Sequence, residues 1–429
     1  MKNTNERGNI WALLPIWVFL IIFLGVGFLS KDFYTMPTIV AFLIALLVAF
    51  MQHKKHGFSK NMKVISQSIG DENIVIMCLI FLASGAFSGA VKAAGGVEST
   101  VNLGLSIMPS SIAVVGLFII GCFISVSMGT SMGTIAAMTP IGVGISEKTG
   151  IALPICIGAV VCGAMFGDNL SIISDTTIAA VRTQGCEMKD KFKENFIIVL
   201  PAAIITAIWF FIISGNDVAQ TVGNLDYSLI RVMPYLVVLI GALVGINVFA
   251  VLISGTILSL IVGLSTGAMT FSNMFVALGD GIMGMYDITI ISIIVAAIVG
   301  LVKEYGGINY ILHVVKKRIH GKRGAEFGIS ILVLLLDLCT ANNTVAIVIA
   351  GPIAKELSDE FEVAPTRSAS LLDIFSSVGQ GLIPYGAQLL SAATLSGLTP
   401  IAIMKYLPYP VLMGVSAILF ILFRKRNAI

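Results

Sequence analysis

Charged residues are scarce in this chain of 429 residues. Asp, Glu, Lys and Arg together make up 11% of it, against about a quarter in soluble proteins. Hydrophobic residues make up 57%, which is more apolar surface than a water-soluble core absorbs. The composition therefore excludes an ordinary soluble protein and favours a chain that lies in a lipid bilayer.

Signatures of common catalytic and metal sites are missing as well. The chain has no His-Glu-x-x-His zinc motif and no phosphate-binding loop that ends in Gly-Lys-Ser or Gly-Lys-Thr. Its six cysteines lie mostly within apolar runs and have no metal-ligand spacing. The sequence predicts no enzymatic activity, no nucleic-acid partner and no bound cofactor.

Long apolar runs are what the chain has instead. Ile10 to Leu29 contains no charged residue, and about twenty residues at 1.5 Å each cross a hydrocarbon core of roughly 30 Å. A second run, Met36 to Met51, follows directly, so the first run is expected to be a membrane helix and not a cleaved signal peptide. Similar runs recur at 74–91, 110–126, 151–167, 196–214, 233–245, 247–264, 288–302, 327–340, 342–354 and 407–423. They predict an all-α multi-pass membrane protein with about ten spans and some shorter broken helices.

The distribution of charge predicts the topology. Basic residues gather in four groups: Lys54, Lys55, Lys60 and Lys63; Arg182, Lys189, Lys191 and Lys193; Lys316, Lys317, Arg318, Lys322 and Arg323; and Arg424, Lys425 and Arg426. The connections 215–230 and 266–287 contain Asp and no Lys or Arg. By the positive-inside rule the basic groups are cytoplasmic and these connections external. We therefore expect a bacterial inner-membrane protein with both termini in the cytoplasm.

Parts of the chain resemble one another at a constant spacing. The segment 91–97, Val-Lys-Ala-Ala-Gly-Gly-Val, is matched 211 residues later by Val-Lys-Glu-Tyr-Gly-Gly-Ile at 302–308. Pro154 falls on Pro365 at the same offset, and 133–136 falls on 343–346 at an offset of 210. The segment after the first Lys-x-x-Gly-Gly has no basic residue, whereas the segment after the second is strongly basic. The charge rule therefore predicts two repeats of inverted topology.

These matches suggest an organisation in two halves. We predict an N-terminal transmembrane helix region over 1–30, a first repeat half over 31–214, an external linker over 215–228 and a second, inverted half over 229–429. Inverted repeats are a recurring architecture of secondary transporters, whose substrates and coupling ions bind near the membrane midplane at broken helices. Broken or re-entrant helices of both halves are expected to meet there.

Polar residues interrupt the apolar runs at equivalent places in the two halves. The first half contributes Thr130 and Ser131 and then Asp168, Asn169, Ser171, Ser174, Asp175, Thr176 and Thr177. The second half contributes Asn342, Asn343 and Thr344 and then Asp373, Tyr385 and Gln388. Polar groups within membrane spans are costly and therefore indicate a functional site. Carbonyl, hydroxyl and amide oxygens at helix breaks form a cage suited to an alkali cation, with Asp168, Asn169 and Asn343 as the expected Na⁺ ligands.

Two carboxylates are the candidates for ion exchange. Asp168 and Asp175 are seven residues apart and would share one face of a continuous helix. Such a pair binds Na⁺ when ionised and releases it when protonated. Asp175 could instead cap a helix or lie at the membrane interface. Asp373, together with Asp337, could be a ligand or a charge partner of Lys92, Lys303 or Arg367.

Two elements of this pattern resemble a known family. Gly-Asp-Asn-Leu-Ser at 167–171 and Ser-Asp-Thr-Thr at 174–177 are similar to the Gly-Asp-x-Leu-Ser-x-x-Ser-Asp-Thr-Thr element of the NhaC family of Na⁺/H⁺ antiporters. Gly-Thr-Ser at 129–131 and Ile-Pro-Tyr at 383–385 resemble two further elements of that family. The resemblance covers roughly 70–400 and implies an inverted-repeat fold with paired broken hairpins. Asn169 stands where many members have Lys.

The sequence and the resemblance together predict a cation-coupled secondary transporter. A Na⁺/H⁺ antiporter is the leading hypothesis, with Na⁺ and H⁺ as the coupling ions. A Na⁺- or H⁺-coupled transporter of amino acids or carboxylates is the alternative, because the second cluster is neutral and rich in amides. The lipid bilayer and a small ion or solute are the expected partners, and a homodimer is compatible with the sequence.

Overall fold

Helices form all the regular secondary structure of the described residues in this computed structural model. The structure describes residues 8–30, 36–52, 57–107, 109, 112–172, 174–214, 225–244, 246–317 and 319–423. Most of the predicted linker and the basic residues Lys54, Lys55, Arg318, Arg424, Lys425 and Arg426 lie outside these ranges.

Ten helices lie before the predicted linker, after a short 3-10 helix at Ile10–Leu13. They are α1 (Leu14–Ser30), α2 (Thr38–Met51), α3 (Phe58–Ile69), α4 (Glu72–Ala93), α5 (Gly96–Ile107), α6 (Ala113–Met128), α7 (Ser131–Thr149), α8 (Leu153–Leu170), α9 (Asp175–Gln184) and α10 (Met188–Ser214).

Eleven helices follow the linker. They are α11 (Leu229–Leu243), α12 (Val248–Ser265), α13 (Phe271–Met283), α14 (Tyr286–Glu304), α15 (Gly307–Lys316), α16 (Gly321–Thr340), α17 (Asn343–Glu360), α18 (Pro365–Leu382), α19 (Ala387–Ser396), α20 (Pro400–Met404) and α21 (Pro408–Phe423). The predicted all-α architecture is confirmed.

Several helices match the dimensions of a bilayer. In the described part of the chain six helical stretches are long and apolar enough to cross a membrane, and four shorter apolar helices accompany them. The long stretches are Ile10–Gly27, Ile74–Ala93, Leu153–Gln184, Met188–Ser214, Val248–Ser265 and Phe271–Glu304. The shorter helices are Thr38–Met51, Ala113–Met128, Leu229–Gly241 and Pro408–Phe423.

Some segments that sequence reasoning treated as connections are helical. The expected external connection 266–287 contains α13, which packs against α4. The segment after the first Lys-x-x-Gly-Gly element forms α5, and the segment after the second forms α15. Long apolar runs alone were the criterion for a span, so shorter or more polar helices escaped it.

The helix pattern of the two halves repeats at a nearly constant offset. α7 and α17 begin 212 residues apart, as do α9 and α19. The glycines that end α9 and α19 in the left-handed conformation, Gly185 and Gly397, show the same spacing. Gly95 and Gly306, also left-handed, are 211 residues apart. The chain therefore contains two similar series of helices, whose opposite orientation in a membrane stays a prediction.

The centre of the molecule is formed by α8 and α18. Both begin with a proline in the first turn, Pro154 and Pro365, and both are buried over most of their length. The short helices that follow them pack across the two halves: α9 contacts α17 and α18, and α19 contacts α7. The ends of α8 and α18 are consequently enclosed by elements of both series.

Glycines allow α4 and α13 to approach closely. A methyl group at Gly281 of α13 would collide with the carbonyl oxygen of Gly85 and would lie 3.1 Å from the Cα atom of Gly89. At Gly279, on the same helix, a methyl group would meet no atom within 4 Å. Small residues at such contacts are a general feature of helix packing in membranes.

We expect Gly281→Ala to destabilise the protein by about 1–3 kcal/mol, because overpacking forces α4 and α13 apart. Gly279→Ala is the matched control and is expected to leave stability unchanged or raise it by up to about 1 kcal/mol through helix propensity. Thermal unfolding in detergent measures both. Equal melting temperatures for the two variants would contradict the close α4–α13 contact.

Candidate ion-binding site

Helix breaks bring polar backbone to the centre of the bundle. α6 ends at Gly129, whose φ of 68° is left-handed, and α7 begins two residues later. At the equivalent place in the second half α16 ends at Ala341, whose φ of 50° is unusual for a residue with a side chain. Two further breaks separate α8 from α9, between Leu170 and Asp175, and α18 from α19, between Leu382 and Ala387.

A cavity of about 100 Å³ lies where these breaks meet. A volume of this size holds a few water molecules or one small solute. Its lining includes the first turns of four helices, α7, α9, α17 and α19. The lining residues are Ile76, Met77, Ile80, Gly129, Thr130, Ser131, Met132, Asp168, Ser174, Asp175, Thr176, Ala341, Asn342, Asn343, Thr344, Gln380, Ala387 and Gln388.

Asp168 is the carboxylate at the centre of the cavity wall. It lies in the last turn of α8 and is 7% exposed. Ser131 Oγ donates to its Oδ2 (2.7 Å), and Ser174 Oγ donates to its Oδ1 (2.6 Å). Each carboxylate oxygen thus has a hydroxyl partner from a different helix start. The two serines orient Asp168 without supplying a balancing charge.

The second half faces Asp168 with amides. Gln388 Nε2 donates to Ser131 Oγ (3.2 Å), which joins α19 to the carboxylate network. Gln380 Nε2 donates to the carbonyl of Ala341 (3.2 Å), a carbonyl at the α16–α17 break. Asn342 Oδ1 accepts from the amide of Val345 (3.0 Å) and caps α17. The Oε1 atoms of Gln380 and Gln388 have no hydrogen-bond partner among the described residues.

The electrostatics of the cavity combine two opposing contributions. Each helix N-terminus carries about half a positive charge, and four of them border the cavity. Asp168 and Asp175 supply the negative charge. A cation is therefore favoured next to Asp168, whereas the amide-rich side of the cavity suits neutral or anionic groups.

Ten of the fifteen predicted site residues line this cavity: Thr130, Ser131, Asp168, Ser174, Asp175, Thr176, Asn342, Asn343, Thr344 and Gln388. The other five, Asn169, Ser171, Thr177, Asp373 and Tyr385, do not line it. Tyr385 lines a small apolar cavity instead, and its hydroxyl donates to the carbonyl of Leu338 (2.7 Å). The cavity lining therefore contains most of the predicted residues, and their role in ion binding stays a prediction.

The predicted continuous helix through Asp168 and Asp175 is wrong. α8 ends at Leu170, and α9 begins at Asp175 after extended residues. At this break the Ser174 hydroxyl does not cap α9 and donates to Asp168 Oδ1 instead. Asp168 is buried and Asp175 is exposed, so the two carboxylates have different environments even though both border the cavity.

Asn169 does not contribute its side chain to the cavity. Its amide Nδ2 donates to Ser377 Oγ (2.9 Å) and, at 3.4 Å, to the carbonyl of Asp373, both on α18. The role predicted for it, a Na⁺ ligand beside Asp168, does not fit this geometry. Asn343 does line the cavity, where its Oδ1 accepts from the amide of Thr344 (3.0 Å).

A second polar cluster lies behind Asp168. Lys191 of α10 forms a buried ion pair with Asp373 Oδ2, and its side chain is only 1% exposed. Asn195 Nδ2 donates to the same carboxylate oxygen (2.9 Å). The charge partner of Asp373 is therefore Lys191, which sequence reasoning assigned to a solvated basic loop. Lys92 and Lys303 are exposed, and Arg367 pairs with glutamates, at 3.2 Å from both Glu194 and Glu326.

A periodic signal could have identified Lys191 and Asn195. They are four residues apart and continue the buried stripe of α10 formed by Ile198, Val199 and Ala202. A polar residue on the apolar stripe of a helix indicates burial with a partner. Gln380 could also have been found, because it lies 212 residues after Asp168 in the repeat.

Asp337 is a buried carboxyl group that the cavity does not use. It is fully buried on α16, and neither side-chain oxygen has a hydrogen-bond partner among the described residues. An ionised carboxylate in such surroundings would be very unfavourable. In the described ranges no group of three or more His, Cys, Asp or Glu residues could hold a metal ion.

Broken helices of two similar halves around a polar cavity in an apolar bundle define a secondary active transporter. The sequence comparisons agree with this class. The family model described as the Na⁺/H⁺ antiporter family matches residues 9–215 and 221–425. The chain belongs to this family and is a cation-coupled transporter.

Related proteins are similar at low identity over most of their length. The malate-2H⁺/Na⁺-lactate antiporter of Bacillus subtilis is 23% identical over 93% of this chain and 91% of its own. The Na⁺/H⁺ antiporter NhaC of Alkalihalophilus pseudofirmus is 23% identical over 96% of this chain and 94% of its own. The arginine/ornithine antiporter ArcD of Halobacterium salinarum is 24% identical over 80% and 77%.

A solved structure is also similar in outline. The YdaH transporter of Alcanivorax borkumensis aligns with a TM-score of 0.47 at 12% identity and covers 96% of this chain and 98% of that chain.

The two helix ends at the cavity predict opposite effects of exchanging Ala and Gly. Ala341→Gly is expected to stabilise the protein by about 1 kcal/mol, because Gly adopts a positive φ without strain. Gly129→Ala is expected to destabilise it by a similar amount for the same reason. Thermal unfolding of the two variants measures this, and a shift of the same sign in both would contradict the assigned backbone conformations.

Proposed function

We propose that this protein exchanges Na⁺ for H⁺ across the membrane and that Asp168 is the group for which the two ions compete. The observation that supports this most is the position of Asp168: a nearly buried carboxyl group at a helix break, bordering a cavity built by both halves. Na⁺ and H⁺ are the proposed coupling ions, and the exchange requires no further cofactor.

The chemistry follows from the partners of Asp168. With the carboxylate ionised, Na⁺ is balanced by one negative charge and by nearby neutral oxygens. The Ser131 and Ser174 hydroxyls each keep acceptor lone pairs while they donate to the carboxylate, so the same groups can face a cation. Once Asp168 takes up a proton, the balancing charge is lost and Na⁺ leaves. One carboxyl group cannot hold both ions, and this makes the exchange obligatory.

The short helices at the breaks allow the cavity to become accessible from each side of the membrane in turn. α9 and α19 are short helices that cross to the opposite half, and the cavity lies between their first turns. Rocking of one half against the other would therefore open the cavity alternately to the two sides, which is the general mechanism in transporters built from repeats.

We predict that Asp168→Asn abolishes exchange, because an amide neither titrates nor balances a cation. The measurement is dissipation of a pH gradient in proteoliposomes when Na⁺ is added. Asp168→Glu is expected to retain part of the activity. Asp359→Asn, the same chemical change at an exposed residue that pairs with Lys355, is the matched control. Exchange at the control rate by Asp168→Asn would overturn the proposal.

A second candidate function is exchange of an organic carboxylate or amino acid coupled to Na⁺ or H⁺. The observation that favours it is the amide side of the cavity, next to four helix N-termini, where the Oε1 atoms of Gln380 and Gln388 have no hydrogen-bond partner within the described part of the chain. The names of the relatives include a malate and lactate antiporter and an arginine and ornithine antiporter.

Counterflow of radiolabelled lactate, malate and arginine in proteoliposomes separates the two candidate functions. A flux that depends on one of these solutes favours solute exchange, and Na⁺/H⁺ exchange without any solute favours the Na⁺/H⁺ antiporter.

We further propose a bacterial inner-membrane location with the basic segments in the cytoplasm. The charge distribution supports this through the positive-inside rule. In a variant without the six native cysteines, Asp226→Cys is expected to react with a membrane-impermeant maleimide added to whole cells. Lys322→Cys is expected to react only after the cells are opened. Both positions are exposed, so the reverse labelling pattern would contradict the orientation.

A further inference from the structure

Lys191 lies in an environment that is unusual for a lysine. It is the fourth residue of α10 and reaches the interior with its whole side chain, whereas Lys193, two residues along, is 63% exposed. Lysine is almost never fully buried without a partner. The surroundings of its ammonium group therefore indicate what the buried charge does.

Three oxygen atoms from three different elements surround the Lys191 ammonium. They are the Asp373 Oδ2 atom on α18, Thr177 Oγ1 on α9 at 2.7 Å and the backbone carbonyl of Asn169 at 3.1 Å. The Asn169 carbonyl belongs to the last turn of α8, where helix carbonyls carry partial negative charge. An ammonium has three donors, so all of them are used.

The same cluster contains two further side-chain oxygen atoms that could coordinate a cation. Asp373 Oδ1 and Asn195 Oδ1 are buried and have no hydrogen-bond partner among the described residues. Asn195 already contacts two of the oxygen atoms around the ammonium, because its Nδ2 atom donates to Asn169 O (3.0 Å) and to Asp373 Oδ2. A carboxylate, a hydroxyl, a helix-end carbonyl and an amide are the oxygen donors typical of an alkali-cation site in a transporter.

We propose that the Lys191 ammonium is a tethered cation that occupies a second Na⁺ site, formed by Asp373, Thr177, the Asn169 carbonyl and Asn195. The lysine holds the end of α8 against α9 and α18 permanently, as a bound ion would hold it transiently. The proposal goes beyond exchange at Asp168 and does not depend on it, because the two sites use different carboxylates.

The proposal predicts that removing the lysine side chain creates a Na⁺ site. Lys191→Ala leaves a vacant cage with an uncompensated Asp373, and we expect it to bind one Na⁺ more per protein than the wild type. Lys191→Met fills the same space with an uncharged chain and should bind no additional Na⁺. Binding of ²²Na⁺ to purified protein measures the number, and Lys193→Ala is the matched control at an exposed position.

Further variants separate this inference from the proposed function. Adding Asp168→Asn to Lys191→Ala should remove any Na⁺ bound at Asp168 and leave the additional one. Adding Asp373→Asn to Lys191→Ala should remove the additional Na⁺ alone. If Asp168 binds no Na⁺, the wild type binds one Na⁺ per protein fewer than the proposed function predicts. Lys191→Ala is nevertheless expected to bind one Na⁺ per protein more than the wild type.

Failure of Lys191→Ala to fold is also informative. Purification in sodium chloride and in choline chloride should then differ, with folded protein recovered only when Na⁺ can replace the ammonium. Equal loss in both salts overturns the proposal. A folded Lys191→Ala that binds no more Na⁺ than the wild type overturns it as well.

Discussion

Backbone groups set free by helix breaks have no water to bind inside a bilayer, and this constraint explains several of the buried polar contacts around the cavity. Buried polar side chains bind carbonyls at the ends of α8 and α16: Gln380 donates to Ala341 O, Tyr385 to Leu338 O, and Lys191 with Asn195 to Asn169 O. The polar residues of the apolar runs thus form two groups: some donate hydrogen bonds to backbone carbonyls, and the others line the cavity.

The two halves share a helix pattern but differ in chemistry. The first half places Asp168 where the second half has Gln380, and Ser131 where the second has Asn343. The repeated helix pattern provides two pairs of equivalent helix breaks, and the different residues at them concentrate the negative charge on one side of the cavity. Two similar series of helices therefore enclose a cavity whose sides differ, with carboxylates on one side and amides on the other.

Composition and apolar runs were sufficient to predict the helical fold, and the polar residues within those runs include ten that line the cavity. Asp168 and Ser131 were predicted because polar residues in apolar runs are conspicuous. Lys191 was assigned to the wrong environment because a basic group near a predicted loop is normally solvated, and only its partners on α8, α9 and α18 reveal burial. The helix break between Asp168 and Asp175 similarly depends on contacts between distant segments, which spacing does not encode.

The crossing of α9 to α17 and of α19 to α7 has a consequence for biogenesis. When the ribosome has completed the first half, α9 still lacks the surface against which it packs, since α17 has not been synthesised. Within the first half Ser131, Lys191 and Asn195 already contact the last turn of α8, but the amides of Gln380 and Gln388 that face it have not been made. The cavity therefore cannot be complete before α18 and α19 have been synthesised.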